Sequence, residues 1–342
     1  MYDHVPLEFY LSGWAHAERS RIPVAHAINS IGDAAVEIAE RIARGALLGE
    51  MGSAVGANAD GDQQKELDVW ANDRLIAALR KTPVAIIASE ELNTPLALEA
   101  DAPLAVALDP LDGSSNIDTN VSIGTIFSVL PAKGQESFTQ PGSKQLAAGY
   151  VIYGPQCAMV LTVGDGTSVF TLDPEARSFC LTADRLAIAP DSNEYAINAS
   201  NYRHWSESVR AYIDDCIAGT EGPRGANVNM RWIASLVAEC HRILVRGGVF
   251  LYPADARKDY EQGRLRLVYE ANPMAFLTEQ AGGKAFDGHV PILDIVPESL
   301  HQRTPLIFGS AGEVDRIARY KADPNTDFER SPLFGRRGLL RV

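Results

Sequence analysis

An apolar run from Leu104 to Leu108 ends in Asp109-Pro110-Leu111-Asp112-Gly113-Ser114-Ser115-Asn116, and this juncture constrains the chain more than any other stretch. The run predicts a short buried strand. Pro110 has no backbone N–H to offer a neighbour, so regular pairing should stop there. Asp109 and Asp112, with the Leu111 carbonyl between them, are hard oxygen ligands suited to Mg2+ or Mn2+. Gly113 lets backbone approach a phosphate closely, and Ser114 and Ser115 can hydrogen-bond its oxygens. Metal ligands beside a phosphate cradle equip a chain for phosphate-ester hydrolysis. Taken alone, the same residues also fit an ordinary turn after a strand.

Other carboxylates stand in similar settings. Pro83 to Ala88 is a second apolar run, followed by Ser89-Glu90-Glu91. Leu265 to Tyr269 predicts a third strand and ends in Glu270. Upstream, Gly61-Asp62-Gln63-Gln64-Lys65-Glu66-Leu67-Asp68 precedes an amphipathic helical pattern. Carboxylates thus fall at the C-terminal ends of three predicted strands, where open α/β sheets collect ligands.

A chain of 342 residues, 46% hydrophobic, can bury the core of one large or two packed domains. A formal charge of −13 excludes a nucleic-acid partner and requires any phosphate site to gather its cations locally. Arg203, Arg231, Arg257, Lys258, Arg264 and Arg266 do gather in the second half, suiting a second phosphate. Met1-Tyr2-Asp3-His4 lacks the basic and apolar parts of a signal peptide, and no apolar run is long enough to span a membrane. A cytoplasmic location is expected. Cys157, Cys180, Cys216 and Cys240 form no Cys-x-x-Cys and read as reduced thiols.

Ile28, Ile31, Ala35, Ile38 and Ile42 recur at helical spacing and predict an N-terminal amphipathic helix. Ala71 to Leu79 predicts another helix, and Val121 to Leu130 a strand. Ala132 to Lys144 predicts an exposed loop, and Tyr150 to Phe179 a hairpin turning at Gly164-Asp165-Gly166. Ala189 to Asn193 is the best candidate for a domain junction. Beyond it, helices are predicted near Ser206, from Arg231 to Leu244, and from Asn272 to the stop at Gly282-Gly283.

At this point the chain resembles the class I fructose-1,6-bisphosphatases. The resemblance is carried by Gly61-Asp62-Gln63, Leu67-Asp68-Val69, Ser89-Glu90-Glu91, Asp109 to Asn116 and Val121 to Phe127. It continues through Leu251-Tyr252-Pro253, Leu265-Arg266-Leu267, Tyr269-Glu270, Asn272-Pro273-Met274-Ala275, Leu293 to Pro297 and His301-Gln302-Arg303. The metal loop alone would also suit inositol monophosphatases; the downstream strings narrow the family.

The resemblance implies an α/β architecture, the layered αβαβα sugar-phosphatase fold with two mixed sheets and helices packed around them. It implies a metal-site domain over residues 1–188, regulatory in relatives, and a sugar-bisphosphate-binding domain over 189–342. The activity implied is hydrolysis of fructose 1,6-bisphosphate to the 6-phosphate, in gluconeogenesis or the Calvin cycle. Sedoheptulose 1,7-bisphosphate is the alternative substrate. Glu90, Asp109, the Leu111 carbonyl, Asp112 and Glu270 would bind two or three Mg2+ ions per subunit, Mn2+ being possible, with Asp62 completing the third site. Glu91 paired with Asp68 would take the proton of the attacking water. Asp112, Gly113, Ser114 and Ser115 would hold the reacting phosphate. Asn198, Tyr202, Tyr252 and Arg264 would hold the far one, joined by Arg231 from a neighbouring subunit of a homotetramer.

Departures from the family pattern cluster at that far end. Arg264 stands for the usual Lys, Asn198-Ala199-Ser200 for Asn-Glu-Gly, and Trp232 for Tyr. Many relatives bind AMP through a Lys-Tyr pair before the metal-loop strand and an Arg after the next one. Here those positions hold Pro103, Leu104 and Pro131, which implies insensitivity to AMP.

Overall fold

The computed structural model describes residues 4–48, 52–57 and 63–322. Asp62 and Gly61 lie outside the described residues. Two mixed sheets alternate with three helical layers. The first sheet has eight strands; all its pairings are antiparallel except that of Val84–Ser89 with Leu104–Asp112. The second has five, with Val249–Tyr252 at its centre between Glu194–Ala196 and Leu306–Gly309.

Helices α1 (Leu7–His16), α2 (Ile22–Arg44) and α3 (Glu66–Leu79) cover one face of the first sheet. The stripe Ile28, Ile31, Ala35 and Ile38 of α2 is fully buried there. Each of the three isoleucines contributes about 1.5–3 kcal/mol of burial. Helices α4 (Glu207–Ala218) and α7 (Ala311–Ala322) cover the outer face of the second sheet. Helices α5 (Leu236–Arg246) and α6 (Asn272–Gln280) lie between the sheets, sharing one core with Tyr150 and Val160 of the first and Phe250 and Phe308 of the second. The order is the expected αβαβα.

Four local expectations change. Residues 132–144 are not a plain exposed loop: they coil through two 3-10 turns and bury Phe138 against Ala88, Ala105 and Tyr269, because the stretch carries one aromatic that the sheet can cover. The helix predicted from Arg231 begins only at Leu236, since Ala234 is left-handed and Ser235 caps the helix. The strand leading to Glu270 is two residues long, Leu265–Arg266, and passes into a π-helical turn, Leu267–Ala271, that runs on into α6. Helix α1, unmarked by any apolar stripe in the reading above, buries Leu7, Leu11 and Ala15. Among the described residues no helix is long and apolar enough to cross a membrane.

Candidate active site

The strand Leu104–Asp112 is buried through Leu111 and delivers Asp109 to the sheet's C-terminal end. Its register with Ile123–Pro131 slips between Asp109 and Asp112, the break that Pro110 requires. Two bonds hold the slipped segment. The Pro110 carbonyl accepts from the Thr125 hydroxyl at 2.8 Å, and Asp109 Oδ1 accepts from the Leu111 N–H at 3.0 Å.

Asp112 points at the start of α5. Its Oδ2 accepts from the Val237 N–H at 3.0 Å and the Ser235 hydroxyl at 3.4 Å. The Val237 N–H is a first-turn donor with no partner inside the helix, and Ser235 is the cap at its positive end. Glu270 arrives from the π turn before α6, and its carboxylate accepts from the Arg266 N–H. Ligand oxygens of Asp109, Asp112 and Glu270 all lie within 4.8 Å of one another. Asp109 is 3% exposed and Glu270 7%.

So dense a cluster resists ionising. Burial, then Glu90, Asp112, Glu270 and Glu91, push Asp109 well above the usual carboxylate range. Burial and Glu90 do the same to Glu270, against the Arg266 N–H. Burial lifts Asp112 to about 6 although the Val237 N–H and Ser235 pull it down. Hard carboxylate oxygens that repel one another in a low-dielectric niche fit divalent cations, which supply the missing positive charge.

Glu90 and Glu91 follow the strand Val84–Ser89 in a turn, where the Glu90 N–H donates to the Leu108 carbonyl and the Glu91 N–H to Ser89 Oγ. Glu90 is among the charges that raise both Asp109 and Glu270, and it pairs with Arg266 at 3.3 Å. Arg266 is only 4% exposed. The sequence reading grouped Arg266 with cations for the second phosphate; it stands instead beside the carboxylate cluster. Only the fold, which turns the chain back at residues 265–270, shows this.

Asp68 sits in the first turn of α3. Its Oδ2 accepts from the Lys65 N–H at 2.8 Å, closing the helix end. It is 2% exposed, its Oδ1 accepts no hydrogen bond, and burial with help from Glu91 raises it to about 7. Ser114 and Ser115 begin a 3-10 turn, Ser114–Thr119, behind Gly113, whose φ is +78°. Asn116 of that turn donates to the Ala234 carbonyl at 2.9 Å.

Farther along the second sheet a small cleft is lined by Asn198, Tyr252, Arg264, Tyr260 and Asp255. The Arg264 guanidinium lies 4.7 Å over the Tyr260 ring. Trp232 stacks on Phe250 and on Tyr252, at 6.0 and 6.3 Å. Two expected members stand outside this lining. Tyr202 is 39% exposed and donates to Asp214 at 2.8 Å. Arg231 pairs within its own chain with Glu194 at 3.6 Å. Arg257 lies near the cleft but is engaged by Asp255. A larger cleft of about 1510 Å³ lies between α2, the 117–123 segment and the 153–157 loop, and none of the clustered carboxylates lines it.

Comparison with known proteins gives the family. Residues 8–184 match the family described as fructose-1-6-bisphosphatase, N-terminal domain, and residues 188–322 match its C-terminal domain. Proteins named fructose-1,6-bisphosphatase class 1 from Sinorhizobium medicae and Rhodopseudomonas palustris are each 56% identical, over 98% and 93% of this chain and 99% and 94% of theirs. The crystal structure of Leishmania major fructose-1,6-bisphosphatase in holo form superposes with a TM-score of 0.86 at 35% identity, covering 93% of this chain and 99% of that one.

Proposed function

Because this chain belongs to the class I fructose-1,6-bisphosphatase family, we propose that its carboxylate cluster and its aromatic-lined cleft serve one reaction, hydrolysis of fructose 1,6-bisphosphate to fructose 6-phosphate and phosphate. The observation that carries this reading is the triad Asp109, Asp112 and Glu270, converging from two halves of the chain beside the Gly113-Ser114-Ser115 turn.

Glu90, Asp109, the Leu111 carbonyl, Asp112 and Glu270 would hold two or three Mg2+ ions, Asp62 completing the last. Bound there, the metal would neutralise ester oxygens and acidify water. Gly113, Ser114 and Ser115 receive the reacting phosphate. Glu91 takes the proton of the attacking water, and Asp68 shares that proton load. A carboxylate raised to about 7 exchanges protons readily at neutral pH. Arg264, Asn198 and Tyr252 hold the far phosphate, with Tyr202 turned from Asp214 and Arg231 lent to a neighbouring copy in a homotetramer. Phosphate release measured on fructose 1,6-bisphosphate, sedoheptulose 1,7-bisphosphate and inositol 1-phosphate tests the reading. The first should be hydrolysed fastest, and only with Mg2+ or Mn2+; preference for the inositol ester overturns it.

We also read the enzyme as insensitive to AMP. Leu104 and Pro131 pair across the first sheet, Leu104 is 2% exposed, and Pro103 precedes them. No cation stands at those three positions, and neither proline has an N–H to offer a nucleotide phosphate. Calorimetric titration with AMP should show no heat; micromolar binding contradicts this.

A further inference from the structure

Residues 231–235 form no regular element. They run as a strap from the edge strand Asn229–Met230 to Ser235, the cap of α5. The strap touches both ends of the site. At one end Trp232 stacks on Tyr252 of the far cleft. At the other Ser235 reaches Asp112. Between them the Ala234 carbonyl accepts from Asn116 of the phosphate turn. Ala234 has φ +62°, a left-handed conformation that a side chain disfavours and that persists only where surroundings enforce it.

Glu239 is part of that enforcement. It is fully buried on α5, and its Oε1 accepts from the Ile233 N–H at 2.5 Å. Ser235 already caps the helix through Ala238, so this bond serves the strap. Arg242 grips Glu239 Oε2 through Nε at 3.3 Å and Nη2 at 3.1 Å. Its Nη1 reaches Glu194 at 2.9 Å, and Glu194 also takes Arg231 at the strap's start. The strap is thus fastened at Ile233 by a carboxylate that Arg242 holds in place and ties to Glu194.

We propose that Glu239 is a positioning residue for substrate length. It holds the strap so that the Tyr252 end and the Asp112 end keep a fixed separation, which selects a sugar bearing phosphates at both ends over one bearing a single phosphate. The inference rests on the bisphosphatase reading above. The test compares Glu239→Ala, Glu239→Gln and wild type, as full-length chains with saturating Mg2+, on fructose 1,6-bisphosphate and on fructose 1-phosphate. For Glu239→Ala the bisphosphate KM should rise about tenfold, as expected on losing one hydrogen bond to a charged group. Turnover of fructose 1-phosphate should change less than twofold. Glu239→Gln, which retains an acceptor for Ile233, should recover most of the loss. Parallel loss on both substrates, or no change on either, overturns the proposal. If Glu239→Ala does not fold, Arg242→Gln takes its place, with a bisphosphate-selective KM rise of about threefold supporting the proposal and equal effects on both substrates refuting it. A wild-type enzyme that hydrolyses fructose 1-phosphate faster than the bisphosphate fails in a different way, removing the reading beneath.

Discussion

At the reacting end, Asp109, Glu270 and Asp68 are each less than 10% exposed and each accept a backbone N–H, so main chain fixes their oxygens. At the far end, Tyr202 and Arg231 are partly exposed and bonded to side chains, and stacked rings stand beside the cleft. Chemistry needs ligands held to a fraction of an ångström; a remote phosphate needs charge and approximate reach. One end therefore concentrates repulsion that a metal would relieve, and the other disperses its cations.

Four changes break or sharpen this contrast. Asp109→Asn should lower kcat by about 10⁴-fold or more, because it weakens both charge neutralisation and water activation. The same substitution should raise the melting temperature of the metal-free protein, since a repelled buried charge disappears. A steady-state assay and a melt in chelator check both, and a near-normal kcat would dissolve the reacting end as drawn. Glu91→Gln should cost about 10²–10³-fold in kcat while isothermal titration still shows metal binding; lost metal affinity would move Glu91 into the ligand set. Arg264→Ala should raise KM about 10–100-fold with kcat little changed. An equal fall in kcat would mean the two ends are not separable.

The smallest effect is on stability. Asp112 at about 6 and Asp68 at about 7 bind protons more tightly folded than unfolded, where the ordinary value is 3.8. The folded state then holds more protons between these values, so stability falls as pH rises from about 4 to about 7. Metal-free protein should melt higher at pH 5 than at pH 8, and added Mg2+ should narrow the gap. Melts showing the reverse order without metal would contradict the cluster's electrostatics.

The two ends also differ in how far sequence revealed them. Asp109 to Ser115 is contiguous, so the strand, its break and the turn that follows were legible from neighbours alone. The five-layer order followed from the family resemblance, and the α2 stripe from its spacing. Arg266 and the strap were not legible. Arg266 lies among other arginines, and nothing local says it faces Glu90. The strap reads as helix until Ala234 turns left-handed, a conformation set by Asn116, Glu239 and Asp112 from distant positions. Glu270 read as a strand end because the π turn at Leu267–Ala271 is stabilised by its docking against the first sheet.

The split origin of the triad has a consequence for the newborn chain. Asp109 and Asp112 leave the ribosome with the first sheet, but Glu270 and the α5 donors to Asp112 come from the second half. At roughly 5–20 residues per second, the interval is on the order of ten seconds. During that time the N-terminal half carries both aspartates without Glu270 or the α5 donors. On the site proposed above, a finished metal centre forms only after Glu270 and α5 have been made.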